Sequence, residues 1–333
     1  MSSTPVLSVR DLVVEFSPRQ GILTAVNKVS FDIAEGEVLG VVGESGAGKS
    51  ITGSAIIGLM EPPGRIAGGE IRLRGERIDN LEPEAMRRVR GNRIGMVFQD
   101  PLTSLNPLFT VGDQLVETIR THSALGHYDA TERAVDLLEQ VGIPAARERM
   151  SAYPHQFSGG MRQRVVIALA LCADPELVIA DEPTTALDVS VQAQIISVLK
   201  KLCADHGVAV MLITHDMGVI AETADRVAVM YSGRIAEIGP VEEVIKHAKH
   251  PYTKGLMGSI PELRGRRNRL LQIEGAMPRL AAIPEGCAFH PRCPKAFDRC
   301  TAERPELIAH DKVDVACWLY DPAEKRTEEG AVA

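Results

Sequence analysis

The stretch "GESGAGKS", residues 43–50, directly follows the apolar run "EVLGVVG" (37–43), and its reading decides the fold. Gly43 and Gly48 bracket Glu44, Ser45, Gly46 and Ala47, and Lys49, Ser50 and Ile51 follow, which fits the pattern G-x-x-x-x-G-K-[ST]. The glycines let backbone N–H groups converge on phosphate oxygens with no Cβ in the way, and a helix opening at Lys49 adds favourable potential. In such a cradle Lys49 meets the β and γ phosphates of a nucleoside triphosphate, and the Ser50 hydroxyl ligates Mg²⁺. A chance glycine-rich turn has no reason to sit between a buried strand and a helix.

Working outward, residues 6–16 ("VLSVRDLVVEF") and 25–33 ("AVNKVSFDI") alternate as strands of an antiparallel start. "GGEIRLRGERI" (68–78) predicts another hairpin, and "NRIGMVFQD" (92–100) a strand running to Gln99. Helical periodicity dominates residues 111–173, for example Ala134, Leu137, Leu138 and Val141 on one face. Two apolar strands, "LVIADE" (177–182) and "VAVMLITHD" (208–216), flank the helical stretch 191–207, which implies a parallel α/β sheet with right-handed crossovers. "DRVAVMYSGRIAEIG" (225–239) predicts a closing hairpin turning at Ser-Gly, and the charged "ELRGRRNRL" (262–270) a linker. The expected units are residues 1–260 and 261–333.

The 333 residues are enough for one large core and something smaller, and a formal net charge of −7 argues against a broadly nucleic-acid-binding surface. The longest unbroken apolar run, 165–173, is far short of the roughly 20 residues that span a bilayer. The N-terminus has no basic start followed by an apolar block, so a cytosolic chain is expected.

Asp181 and Glu182 stand at the carboxyl end of a buried strand, where open α/β sheets bind ligands. Asp181 is expected to hold Mg²⁺ through water, and Glu182, facing the other way, to act as the general base on attacking water. His215 ends another apolar strand and could meet the γ-phosphate; a lone histidine there is equally a structural residue. A second glycine-opened helix starts at "FSGGMRQR" (157–164), with Ser158 suited to N-capping. Its exposed N–H groups and hydroxyl make a second anion site. Because one cradle already surrounds its own triphosphate from one side, this second site is expected to serve a nucleotide on a partner subunit. An isolated S-G-G is otherwise simply a well-capped helix.

"GESGAGKS", Gln99 in "VFQDP", "FSGGMRQR", "LVIADEP", "TTALD" and His215 occur in the order and approximate spacing of the ATP-binding cassette ATPases, and the resemblance covers residues 6–257. It implies a P-loop fold with a RecA-like parallel-sheet core, an antiparallel β subdomain and a helical signature subdomain. It also implies two cassettes stacked head to tail, each ATP lying between one cradle and the other chain's Ser158, Gly159 and Gly160. Met161 stands where the family more often has glutamine, which leaves Ser158 and the glycines intact. By the same resemblance Phe16 stacks on adenine, Gln99 ligates Mg²⁺ and couples to membrane subunits, and Asp188 joins the two sites. Read alone, Phe16 is a strand-end aromatic and Gln99 a polar turn residue.

Four of six cysteines, Cys287, Cys293, Cys300 and Cys317, lie in the tail, separated by five, six and sixteen residues. The absent C-x₂-C pairs make zinc the weaker reading, an iron–sulfur cluster suits the number, and unligated thiols fit the charged surroundings poorly; spacing does not decide. "HPYTKGLMGSIP" (250–261) and "PEGCAFHPRCPKAFDRC" (284–300) resemble the C-terminal extension of dipeptide and oligopeptide importers, which implies a 4Fe-4S cluster on these cysteines. Cys172 and Cys203 fall in predicted helices as small buried side chains. The resemblance therefore implies an ATPase subunit at the cytoplasmic face of the inner membrane. Its implied partners are a second cassette, identical or paralogous, two transmembrane permease subunits and an extracytoplasmic peptide-binding protein. The competing readings are a soluble cassette ATPase acting on nucleic acid or ribosomes, and an iron–sulfur redox-sensing ATPase. The cargo, whether dipeptide, oligopeptide, glutathione or a nickel complex, is not written in these motifs.

Overall fold

The computed structural model describes residues 4–17, 21–184, 189–258 and 273–322. The linker expected at 262–270, and Asp188, lie outside the described residues. Strands β1 (Leu7–Phe16) and β2 (Leu23–Ile33) pair antiparallel, as their alternation predicts. The buried β3 (Val38–Val42) then begins a different sheet. β4 (Gly64–Leu73) and the short β5 (Glu76–Arg77) form the expected hairpin and complete a four-stranded sheet of order β2-β1-β4-β5.

The larger sheet adds β6 (Ile94–Val97), β7 (Leu177–Asp181), β8 (Ala209–Ile213), β9 (Arg226–Tyr231), β10 (Arg234–Pro240), β11 (Ile308–His310) and β12 (Val313–Val315). Its order is β11-β12-β10-β9-β3-β8-β7-β6. The neighbours from β9 through β3, β8 and β7 to β6 are parallel, the arrangement expected of strand–helix–strand spacing. β6 ends two residues short of the expected Gln99: Phe98 and Gln99 leave the sheet and are exposed.

The sheet is covered on both faces, which is why its strands read as continuous apolar runs rather than alternating ones. Leu39, Val41, Leu177, Ile179, Met211 and Ile213 point into a core shared with the antiparallel sheet and the helix Lys49–Ile56. Their neighbours Val38, Val42, Val178, Ala180, Val210 and Leu212 point into a second core under the helices of the other face, among them Val111–His122, His127–Gln140 and Gly159–Leu171. A helix over Val189–His206 carries the chain from β7 to β8.

The tail does not stand apart. β12 pairs antiparallel with β10, Glu237 opposite Val315, so the cysteine-bearing segment continues the central sheet. The hairpin of β9 and β10 turns through Ser232 and Gly233, both at positive φ (45° and 78°), as "SG" predicts.

Candidate nucleotide site

β3 delivers the chain to Gly43, where an added Cβ would overlap the Met230 carbonyl, and the helix Lys49–Ile56 starts behind Gly48 in the left-handed region at φ 100°. Only glycine takes that conformation at little cost. No side chain caps this helix, so the N–H groups of its first turn are left to an external acceptor. The Gly233 N–H donates to the Ala47 carbonyl at 2.9 Å, so the β9–β10 turn braces the loop from below.

Lys49 is 5% exposed, and its Nζ donates to the Gly43 and Glu44 carbonyls at 2.8 and 3.1 Å. Burial pulls its pKa down, against the upward pull of Glu182 and Asp181. The Ser50 hydroxyl donates to Asp181 Oδ1 at 2.9 Å. Burial raises the Asp181 pKa, opposed by the Ser50 hydrogen bond. A buried carboxylate held above its usual range gains from a nearby cation, and Ser50 with Asp181 offers Mg²⁺ two oxygens of the kind it takes beside phosphates and water.

Asp181 and Glu182 take different partners at the exit of β7. Glu182 has φ 45° while its N–H still donates to the Ile213 carbonyl at 2.8 Å. Its carboxylate receives Gln99 Nε2 at 3.1 Å and lies 3.4 Å from His215 Nδ1. Three positions from three strand ends, 83 and 33 residues from Glu182 in sequence, thus meet on one carboxylate. Ser158 caps the helix Gly159–Leu171, its hydroxyl accepting from the Met161 N–H at 3.3 Å, and the residue is exposed, as are Ser45 and Gly46. Phe16 is partly buried at the end of β1, its ring close over Gly64.

Sequence reasoning missed two residues that reach the cradle from the tail side. The Tyr252 hydroxyl accepts from the Glu44 N–H at 2.9 Å, and Arg292 NH1 meets both Glu44 carboxylate oxygens at 3.0 and 3.3 Å. They lie 208 and 248 positions from Glu44, so no local spacing could have paired them. "HPYTKG" was the available signal.

Cys287, Cys293, Cys300 and Cys317 line one cavity together with His290 and Trp318, and all four are free thiols. Burial pushes the Cys317 thiol up to about 12 and raises Cys287 and Cys293 as well, the neighbouring cysteines adding to each shift. Among the described residues no group of three or more His, Cys, Asp or Glu side chains is gathered to hold a metal ion. Thiolates are the donors a soft metal takes, but these four are not drawn together as a ligand set.

Two family models match this chain: ABC transporter over residues 26–185, and the C-terminal region of oligopeptide/dipeptide transporters over residues 236–300. The chain is 48% identical over 318 residues to the dipeptide transport ATP-binding protein DppD of Bacillus subtilis, covering 95% of each. The chain belongs to the ABC transporter family. It is also 48% identical over 299 residues to the oligopeptide transport ATP-binding protein OppD of Escherichia coli, covering 90% of this chain and 88% of that one. Among solved structures, the dimeric post-hydrolysis state of the ATP-binding cassette MJ0796 bound to ADP and Pi superposes with a TM-score of 0.64 at 27% identity. It spans 71% of this chain and 98% of that one. The ABC cassette fold is thus shared, and ATP with Mg²⁺ is the expected occupant of the Gly43–Ser50 cradle of this ABC protein.

Proposed function

We propose that this chain is the ATP-binding and ATP-hydrolysing subunit of an importer of dipeptides or oligopeptides. It works at the cytoplasmic face of the membrane with a second cassette, two permease subunits and an extracytoplasmic peptide-binding protein. One observation carries the hydrolytic part: Glu182, held by Gln99 and beside His215, stands next in sequence to an Asp181 already bonded to Ser50 of the cradle. Relatives named for dipeptide and oligopeptide transport supply the cargo class.

Lys49 and the uncapped first-turn N–H groups bind the phosphates; Ser50 and Asp181 would hold Mg²⁺, which would supply electrostatic stabilisation of the transferred phosphoryl group. Glu182 accepts the proton of the attacking water, and Gln99 and His215 fix the carboxylate that does so. Ser158, Gly159 and Gly160 serve the nucleotide of the facing cassette; the Ser158 hydroxyl keeps its proton available while its lone pair caps the helix. Phe16 stacks on the adenine, and Asp188, outside the described residues, joins the two sites.

The stretch after Gln99 supports permease contact. Leu105 packs inward at 2% exposure, while Leu108 and Phe109 stand 79% and 51% exposed. An apolar surface of this kind marks a protein contact. Among the described residues no helix is long and apolar enough to cross a membrane, which fits a peripheral subunit bound through such a surface.

The division at residues 1–260 and 261–333 is a reading of function, since the second stretch adds β11 and β12 to the sheet of the first. On the resemblance of the tail, Cys287, Cys293, Cys300 and Cys317 would hold a 4Fe-4S cluster, with zinc the weaker alternative; the one cavity that all four line supports this reading, although no ligand set is assembled there among the described residues. Such a group would serve structure or electron storage, and no hydrolytic step passes through it.

The test is Glu182→Gln in the assembled transporter. We expect unchanged ATP binding and a fall in turnover of about a hundredfold or more. Wild-type turnover in this variant would overturn the assignment of Glu182, and co-purification of the native chain with nucleic acid or ribosomes instead of membrane subunits would overturn the transport reading.

A further inference from the structure

Glu44 is the only acid in the sequence of the phosphate cradle, and every polar group it has is engaged. Its N–H goes to the Tyr252 hydroxyl, so it is not a phosphate donor; its carbonyl accepts from Lys49 Nζ; its carboxylate meets Arg292. The side chain of Arg292 is 7% exposed against 29% for Glu44. Its position is fixed from several directions. Nε donates to the Glu274 carbonyl at 2.9 Å, NH2 to the Gly275 carbonyl at 3.3 Å, and NH1 also reaches the Tyr231 hydroxyl at 3.3 Å. The guanidinium lies 5.9 Å from the ring centres of both Tyr231 and Phe289.

Tyr252 is no less constrained. Glu237, fully buried, accepts the backbone N–H groups of Lys249 and His250 at 2.8 and 2.9 Å, which pins the start of the helix Pro251–Gly258. Tyr252 then packs edge-on against Tyr231, with ring centres 4.6 Å apart, and tilts against Phe289 at 5.4 Å. The tail's Met277 completes the contact: a Cβ at Gly46 would stand 3.0 Å from its Cε.

A carboxylate within a triphosphate site repels its ligand unless it is neutralised, and a forked, pre-oriented guanidinium neutralises it best. From this geometry we infer that Arg292 is a positioning residue of the nucleotide site, pairing with Glu44 so that the C-terminal segment, through Arg292 and Tyr252, sets the affinity for ATP. The inference rests on the reading of Gly43–Ser50 as the ATP cradle.

It is tested on the full chain by binding of a fluorescent ATP analogue and by the steady-state ATPase of the assembled complex. Arg292→Ala should raise the analogue's Kd about tenfold, raising KM more than it lowers kcat. The double variant Arg292→Ala with Glu44→Gln should return Kd to within about threefold of wild type, because the repulsion departs with the charge. Arg292→Lys, which lacks the fork, should fall between. If Arg292→Ala does not fold by circular dichroism, Arg292→Gln carries the same comparison. An unchanged Kd in the folded single variant, or equal weakening in single and double variants, overturns the pairing role. Lys49→Ala separates the two readings: if it binds the analogue like wild type, the cradle assignment fails, whatever the Arg292 variants do.

Discussion

At the residue scale, chemistry concentrated in short motifs was readable, and chemistry that depends on distant partners was not. Lys49, Ser50, Asp181 and Glu182 were legible because the strand–loop–helix grammar around them fixes where each side chain points. The convergence of Gln99 and His215 on Glu182 needed three strand ends brought together, and the residues themselves read equally as a turn and a strand end. Arg292 was invisible beside the cysteines. Cys172 was read as a small buried side chain, and it is 4% exposed; the Cys203 side chain lies outside the description. Burial pushes the Cys172 thiol up to about 12 from an ordinary value of 9.0. The unfolded chain thus loses that proton at lower pH than the folded one, so stability from this group is intact below pH 9 and falls as pH rises toward 12. The full loss is about 4 kcal/mol. In native protein at pH 8.5, Cys172 should resist iodoacetamide in peptide mass mapping and react only on unfolding. Cys172→Ala should flatten the alkaline decline of Tm. Rapid native alkylation would contradict the burial.

At the element scale, the parallel strands announced themselves as short apolar runs between turn signals because both faces are covered. β11 and β12 did not, since three residues apiece are too few to establish a period, and β6 stopped early because Phe98 and Gln99 leave the sheet. One glycine ties sheet to signature helix. A Cβ on Gly95 of β6 would overlap the Ala170 carbonyl in the helix Gly159–Leu171. A backbone atom cannot swing aside as a side chain can. Gly95→Ala should therefore push this helix off the sheet, destabilising the protein by about 2 kcal/mol. Because the same helix begins at the Ser158 cap, ATPase activity should fall along with Tm. Thermal melting and turnover of the purified variant check both, and wild-type values for each would refute the tight contact.

At the scale of the whole molecule, the sequence order of motifs carried the cassette architecture, while the attachment of the tail could only be seen in three dimensions. The tail continues the sheet through β12 and grips the cradle through Tyr252 and Arg292. The account's central claim is that the Ser158–Gly160 helix start, exposed at Ser158, works on a nucleotide held by a facing cassette. The most direct measurement is the turnover and ATP affinity of Gly159→Asp in the assembled transporter. An acid in the first turn suits the helix dipole, so the helix survives, yet it sets a negative charge where a phosphate must dock. The account predicts ATP binding that still depends on Lys49, with turnover reduced about a hundredfold. Wild-type turnover in this variant would contradict it.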